Sequence, residues 1–77
     1  MVPEWTLRKQ GSSSLMGVAY GNGRFVAVGR RGTILTSSDG VSWTERSSGT
    51  SQDLHGVTYG NGLFVAVGSG GTILTSL

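Results

Sequence analysis

The sequence contains no cysteine and a single histidine, His55, so it can form neither a disulfide nor a Cys- or His-rich metal site. This matters because a chain of 77 residues makes at most one small domain, and such a domain buries only about 60% of its extended-chain surface. Small domains usually depend on a disulfide, a metal or a partner subunit. With the first two excluded, we expect the chain to associate with further subunits.

Charged residues are also few, with six Lys or Arg against four Asp or Glu and a net charge of +2. The adjacent basic pairs are Arg8-Lys9 and Arg30-Arg31, whereas a nucleic-acid footprint needs a clustered basic face. No apolar run approaches the roughly 20 residues of a membrane span, and the first residues lack the apolar core of a signal peptide. We therefore predict no nucleic-acid partner, no membrane span and no secretion signal, and the sequence assigns no compartment.

The dominant feature is an internal repeat, because residues 15–37 recur 39 positions later as residues 54–76. Of the 23 aligned positions, 18 are identical. The five differing pairs are Met16/His55, Ala19/Thr58, Arg24/Leu63, Arg30/Ser69 and Arg31/Gly70. A repeat of this period is typical of stacked supersecondary units.

Each repeat has the pattern of short strands joined by tight turns. Asn22-Gly23 and Asn61-Gly62 separate apolar runs, and Asn-Gly at such a position predicts a type I′ hairpin turn. The predicted strands cover residues 15–20, 25–28, 33–36 and 41–46 in the first repeat, and 54–59, 64–67 and 72–75 in the second. The runs at 25–28 and 64–67 do not alternate, which predicts strands covered on both faces.

This pattern predicts an all-β chain of two four-stranded antiparallel meanders, each about 39 residues long. Four short strands buried on both faces, repeated at this period, are typical of the blades of a β-propeller. A sandwich or a small barrel would instead expose one face of its central strands. The organisation is an outer strand at residues 4–9, a first repeat at 15–46 and a second repeat at 54–76 without an outer strand of its own.

The outer strand at residues 4–9 predicts how copies of the chain associate. Trp5-Thr6-x-Arg8 matches Trp43-Thr44-x-Arg46 in the first repeat, so residues 4–9 are an outer strand without a repeat in front of them. We expect this strand to complete the second repeat of another copy. The inter-chain strand residues are then Trp5, Leu7, Ile73 and Leu74. Head-to-tail contacts of this kind close into a ring. Three copies would give six blades and four would give eight, and a trimer is slightly favoured because it loses less association entropy.

Residues 28–43 resemble the blade motif of the Asp-box propellers, a family that includes bacterial neuraminidase repeats and, more closely, propellers of photosystem II assembly factors. The box is represented by Ser37, Asp39, Gly40 and Trp43, one residue tighter than the sialidase spacing. The resemblance implies that Asp39 accepts backbone N–H groups of its own turn and that the indole of Trp43 packs between blades. The near identity of the two copies favours an engineered or reconstructed propeller.

An enzymatic interpretation is not supported by the residues present. Sialidase chemistry would need an arginine triad and a tyrosine nucleophile with an acid partner, but no clustered acids accompany Tyr20 or Tyr59. Asp39 belongs to a turn and Asp53 to a linker. We therefore predict no catalytic residue, no metal ligand and no cofactor.

Three further positions have a functional and a structural interpretation. Trp5 and Trp43 would stack on sugars or, as favoured here, pack at blade edges. His55 would ligate a metal or an anion on a ring axis or, as favoured here, lie solvated in a loop. Arg30 and Arg31 would form a basic rim for an anionic partner or, as favoured here, serve solubility. The function expected is a non-enzymatic, self-assembling structural module, and the alternative is a propeller that binds a glycan or a protein at its channel mouth or basic rim.

Overall fold

A computed structural model describes residues 14–76 of the chain. Its strands form two antiparallel sheets. The first sheet contains β1 (Leu15–Gly21), β2 (Arg24–Gly29), β3 (Ile34–Ser37) and β4 (Thr44–Arg46), and the second contains β5 (Leu54–Gly60), β6 (Leu63–Gly68) and β7 (Thr72–Ser76). Single 3₁₀ turns, Arg30–Gly32 and Ser69–Gly71, join the second and third strands of each sheet. Within the described part, no helix has the length and apolar character to cross a membrane.

The predicted all-β class is confirmed, as is the antiparallel arrangement of both sheets. Strands lie side by side in chain order, β1 to β4 in the first sheet and β5 to β7 in the second. The outer strand predicted at residues 4–9, with Trp5 and Leu7, lies outside the described residues. Among those described, β7 pairs only with β6 and therefore forms an edge of its sheet.

The fourth strand is shorter than predicted and begins at Thr44 instead of Val41. The backbone N–H groups of Val41 and Ser42 donate to the carboxylate of Asp39, so these residues belong to the turn before the strand. The alternation of Val41 and Trp43 with polar residues is typical of a strand, which is why the sequence predicts a strand that begins at Val41. Local hydrogen bonding by an Asp side chain competes with sheet pairing at such positions.

Both Asn-Gly pairs lie at hairpin turns, between β1 and β2 and between β5 and β6. Asn22 and Gly23 have φ of 49° and 76°, and Asn61 and Gly62 have φ of 51° and 79°. Positive φ at both central residues is what a type I′ turn requires. The turns set the strand register, since Gly21 pairs with Arg24 and Gly60 with Leu63.

The register gives each sheet two different faces, because successive residues of a strand point to opposite sides. One face, here called the aromatic face, carries Val18, Tyr20, Phe25, Ala27 and Leu35 in the first sheet and Val57, Tyr59, Phe64, Ala66 and Leu74 in the second. The other, here called the valine face, carries Gly17, Ala19, Gly21, Val26, Val28 and Ile34 in the first sheet and Gly56, Thr58, Gly60, Val65, Val67 and Ile73 in the second.

The two sheets stack in one direction, with the valine face of the first sheet against the aromatic face of the second. The core between them contains Val26, Val28, Leu54, Phe64 and Ala66, with partly buried residues of the same two faces around it. The most extensive contact between the sheets is that of β1 with β5. The stack is therefore head-to-tail, because unlike faces of the two sheets pack together.

This direction places the valine face of β2 and the aromatic face of β6 between the two sheets. In β2, Val26, Ala27 and Val28 are all buried, as predicted. In β6, Phe64 and Ala66 are buried, but Val67 is 46% exposed. The valine face of β6 has no described sheet against it in the single chain, so the two-sided cover of residues 64–67 stays a prediction about the assembled form.

Candidate functional site

The turn between β3 and β4 is held by two short polar side chains. The hydroxyl of Ser37 accepts hydrogen bonds from the backbone N–H groups of Gly40 (2.7 Å) and Asp39 (3.3 Å), and it donates to Asp39 Oδ1 (3.1 Å). The same Oδ1 accepts from the N–H groups of Val41 (2.8 Å) and Ser42 (3.0 Å). Ser37 is buried and Asp39 is exposed. These contacts are all made within the turn, so its polar side chains are occupied in fixing the backbone.

The hydrogen bonds to Asp39 act on its pKa. Donation from Val41, then from Ser42 and Ser37, favours the carboxylate and lowers the pKa of Asp39 below the ordinary value of 3.8. Because the folded chain binds this proton less readily than the unfolded chain, the stabilisation is complete above pH 3.8. It is lost as the pH falls through the folded-state pKa.

The Asp39→Asn variant tests this linkage. Its amide oxygen still accepts the two N–H groups but does not titrate in acid, so we expect a smaller loss of stability on acidification than in the parent. Urea unfolding near neutral pH and well below pH 3.8 measures the difference. Asp39→Ala serves as the control and should be less stable at both pH values, because it loses the turn contacts themselves. An equal acid dependence in the parent and in Asp39→Asn would contradict the assignment.

Trp43 closes the turn onto the first sheet. Its Nε1–H donates to the carbonyl oxygen of Gly40 at 3.2 Å, and its ring centroid lies 6.3 Å from that of Phe25. Phe25 in turn packs against Tyr20 at 4.7 Å. Trp43 remains half-buried, with its ring on the aromatic face of its own sheet.

Arg30 and Arg31 are exposed in the first 3₁₀ turn. Arg31 adopts a positive φ of 60°, and its backbone N–H donates to Asp53 Oδ1 at 3.0 Å. This bond ties the turn to the linker that enters the second sheet. It uses the backbone and not the guanidinium, so the contact itself does not require an arginine.

The remaining candidate positions are separated from one another. His55 Nε2 lies 2.9 Å from Ser69 Oγ on the exposed edge of the second sheet. Tyr20 and Tyr59 each pack on the phenylalanine of their own sheet. Within residues 14–76, no three His, Cys, Asp or Glu side chains come close enough to hold a metal ion.

Among residues 14–76, two apolar faces have no described sheet against them, and these two faces match each other. On the aromatic face, Leu15 is 48% and Tyr20 59% exposed, while the equivalent Leu54 is fully buried in the stack. On the valine face, Val67 is 46% exposed, while the equivalent Val28 is fully buried. The exposed part of the aromatic face lies along β1, since Ala27 and Leu35 are buried. The chain therefore presents, at its two ends, the same kinds of surface that pack together in its middle.

Two contacts within the stack show how closely these faces fit. A Cβ placed on Gly21 would lie 2.2 Å from ring atoms of Tyr59, so the tyrosine ring rests directly on that glycine. A Cβ on Gly17 would lie 3.2 Å from the Cα of Gly56, so β1 and β5 approach backbone to backbone. At the equivalent Gly60, no described atom lies within 4 Å of such a Cβ. Gly60 therefore corresponds to the glycine on which Tyr59 packs, but no described side chain lies on it.

The predicted inter-chain strand residues Ile73 and Leu74 lie in β7 on opposite faces. Ile73 is 67% exposed on the valine face, whereas Leu74 packs against the core between the sheets. Tyr59 on Gly21 was not anticipated, although the repeated Tyr-Gly-Asn-Gly sequence is visible in both copies. In the structure, the glycine before each Asn-Gly ends a strand, and the side of Gly21 that faces the second sheet is the surface on which Tyr59 packs.

Comparison with known proteins identifies no relative of the chain. No family model, curated protein or solved structure matches the chain at a significant level, so its likeness to the Asp-box propellers stays a prediction.

Proposed function

We propose that the chain is a non-enzymatic, self-assembling structural module whose copies stack head-to-tail into a closed ring. The observation that carries the proposal is the direction of the stack. Because the valine face of one sheet accepts the aromatic face of the next, a surface that binds at one end of the chain is complementary to the surface at the other end. Such contacts between copies are heterologous, and they close into a ring when the rotation permits.

The matched residues support association of copies over an isolated chain. Exposed apolar surface of this kind is typical of interaction sites. The neighbouring copy would place Tyr20 on Gly60 as Tyr59 lies on Gly21, and would bury Val67 as Val28 is buried. Because each chain supplies two sheets, a ring of three copies has six blades and a ring of four has eight. The trimer remains favoured over the tetramer, because bringing three copies together loses less translational and rotational entropy than bringing four.

One repeat difference falls on the proposed junction. Within the chain, the guanidinium carbon of Arg24 lies 6.0 Å from the centroid of the Phe64 ring. The position equivalent to Arg24 is Leu63, so the junction between copies would set a leucine over Phe25. A cation or an aliphatic group can lie on an aromatic face, but a carboxylate is repelled by its electron-rich centre.

The paired variants Leu63→Arg and Leu63→Glu test the junction. Leu63→Arg reproduces the contact already present inside the chain, and we expect it to assemble as the parent does. Leu63→Glu would bury an unpaired carboxylate on the ring of Phe25, which should weaken association by about tenfold or more. Light scattering across a dilution series measures both. Equal assembly of the two variants would contradict the proposed contact.

The native mass of the 77-residue chain tests the proposal as a whole. A single species of three or four times 8.0 kDa is expected, unchanged over a wide concentration range. A continuous ladder of larger species would mean that the stack does not close, and a monodisperse monomer would overturn self-assembly. The binding alternative, a glycan or protein partner at the channel mouth or at Arg30 and Arg31, stays a prediction without a contact that favours it.

A further inference from the structure

A cavity of about 330 Å³ lies between the two sheets and is lined by residues of both. Phe64 and Leu74 line it from the second sheet, and Val28 and Ile34 from the first. Arg24, Arg46, Thr75 and Ser76 contribute polar groups to its wall. An aromatic floor, aliphatic walls and a cationic side chain together suit a large aromatic group with a polar edge.

The first sheet shows what lies against the residue equivalent to Phe64. That residue is Phe25, and Trp43 packs on it with 6.3 Å between ring centroids. Trp43 is brought there by β4, which pairs with β3. Arg46 Nε, three residues after Trp43, donates to Thr36 Oγ1 at 3.0 Å. Trp43 thus covers Phe25, and the short strand β4, with Arg46 bonded to Thr36, holds Trp43 in place.

The same three elements occur once more in the sequence, at Trp5, Thr6 and Arg8. Residues 4–9 stand before β1 as β4 stands before β5, and β4 belongs to the sheet whose valine face packs on the sheet that follows. By this sequence analogy, we expect residues 4–9 to join a sheet whose valine face packs on the aromatic face of β1. In the proposed ring, that sheet is the second sheet of the neighbouring copy.

We propose that the cavity over Phe64 is a binding site for the indole of Trp5 from a second copy, whose residues 6–8 pair with β7. This inference rests on the proposed self-assembly and specifies its strongest contact. Arg8 of the entering strand would donate to Thr75 as Arg46 donates to Thr36. The contact of Trp5 with Phe64 would differ in one respect from that of Trp43 with Phe25. Arg24 lies beside the ring of Phe64 and would add a cation–π contact to the entering indole.

The Trp43→Phe variant allows this site to be observed directly, because it leaves Trp5 as the only tryptophan. Acrylamide quenching of Trp5 fluorescence is measured over a dilution series, alongside the mass from light scattering. We expect Trp5 to be protected several-fold in the assembled form and to become freely quenched as the assembly dissociates. The matched variant Trp5→Phe reports Trp43 in the same series. If Trp43→Phe does not assemble, the quenching of Trp5 follows from the difference between the parent and Trp5→Phe.

The outcomes separate the two proposals. An assembled ring in which Trp5 is freely quenched would overturn the indole site and leave self-assembly standing. A monomer in which Trp5 is protected would mean that each chain fills its own cavity, which overturns both. A monomer with exposed Trp5 would overturn self-assembly and, with it, this inference.

Discussion

Replacing Gly60 by alanine is expected to abolish ring formation while leaving the single chain folded. Within the chain, the added methyl group meets no described atom within 4 Å, and the φ of Gly60 is not in the left-handed region. Substituting alanine for glycine at such a site is neutral or stabilises the folded chain by about 0.4–1 kcal/mol. The substitution is therefore not expected to unfold the monomer.

The proposed junction has no such tolerance. At the equivalent Gly21, a Cβ would lie 2.2 Å from the ring of Tyr59, and the partner's tyrosine would meet the new methyl group of Ala at position 60 in the same way. Overpacking of this kind costs about 1–3 kcal/mol per site, which weakens each junction by roughly fivefold to 150-fold. Because every copy contributes one such junction, the effect multiplies around the ring.

Thermal unfolding and native mass, measured on the same sample, check the two halves of this expectation. Gly60→Ala should unfold cooperatively with the mass of a monomer. Gly21→Ala is the matched control, and it should destabilise the chain itself because the clash is internal. A Gly60→Ala variant that assembles like the parent would show that the tyrosine does not lie on this glycine, and the stacking geometry of the junction would be wrong.

The parts of this molecule that the sequence predicts are those set by neighbouring residues. Asn22-Gly23 supplies a turn because both residues accept positive φ, and the strands beside it take their register from that turn. Ser37 and Asp39 organise the following turn because their side chains reach backbone N–H groups two or three residues away. Where the same kind of local bonding extended further, the prediction was wrong, since Asp39 holds Val41 and Ser42 out of β4.

The stacking direction could not be predicted in this way. Leu15 and Leu54 are the same residue in nearly the same local sequence, yet one is half exposed and the other fully buried. Both faces of each sheet are apolar, so periodicity does not say which of them meets the next sheet. The faces are distinguished by the contacts of the folded chain, such as Tyr59 over Gly21 and Arg24 over Phe64, and by the residues buried between the sheets. The sequence shows the difference Arg24/Leu63, but it does not show that the two positions face different neighbours.

The second large effect is expected from Trp43→Ala. In the single chain Trp43 is half-buried, packs on Phe25 and donates to the carbonyl of Gly40. Its removal takes away an aromatic pair and leaves Phe25 uncovered. A buried tryptophan replaced by alanine costs about 3–5 kcal/mol, and a half-buried one costs less.

Assembly should decide which of these costs is measured. In the proposed ring, the second sheet of the neighbouring copy covers the aromatic face on which Trp43 lies, so the indole becomes fully buried only there. We therefore expect the free energy of unfolding to fall by the full 3–5 kcal/mol per chain for the assembled form, and by clearly less for a monomeric background such as Gly60→Ala. Urea unfolding of Trp43→Ala with and without Gly60→Ala measures the two values in a double-mutant cycle.

The coupling between these two substitutions is the informative quantity, because they lie in different repeats and meet only across a junction. Trp43→Phe is the control that keeps an aromatic ring on Phe25 while losing the hydrogen bond to Gly40, and it should recover most of the lost stability. A Trp43→Ala cost that is the same in both backgrounds would place the indole outside the junction. The junction would then be held only by β5 of one copy packing on β1 of the next. Trp43 would stabilise the first sheet of its own chain without contributing to the junction.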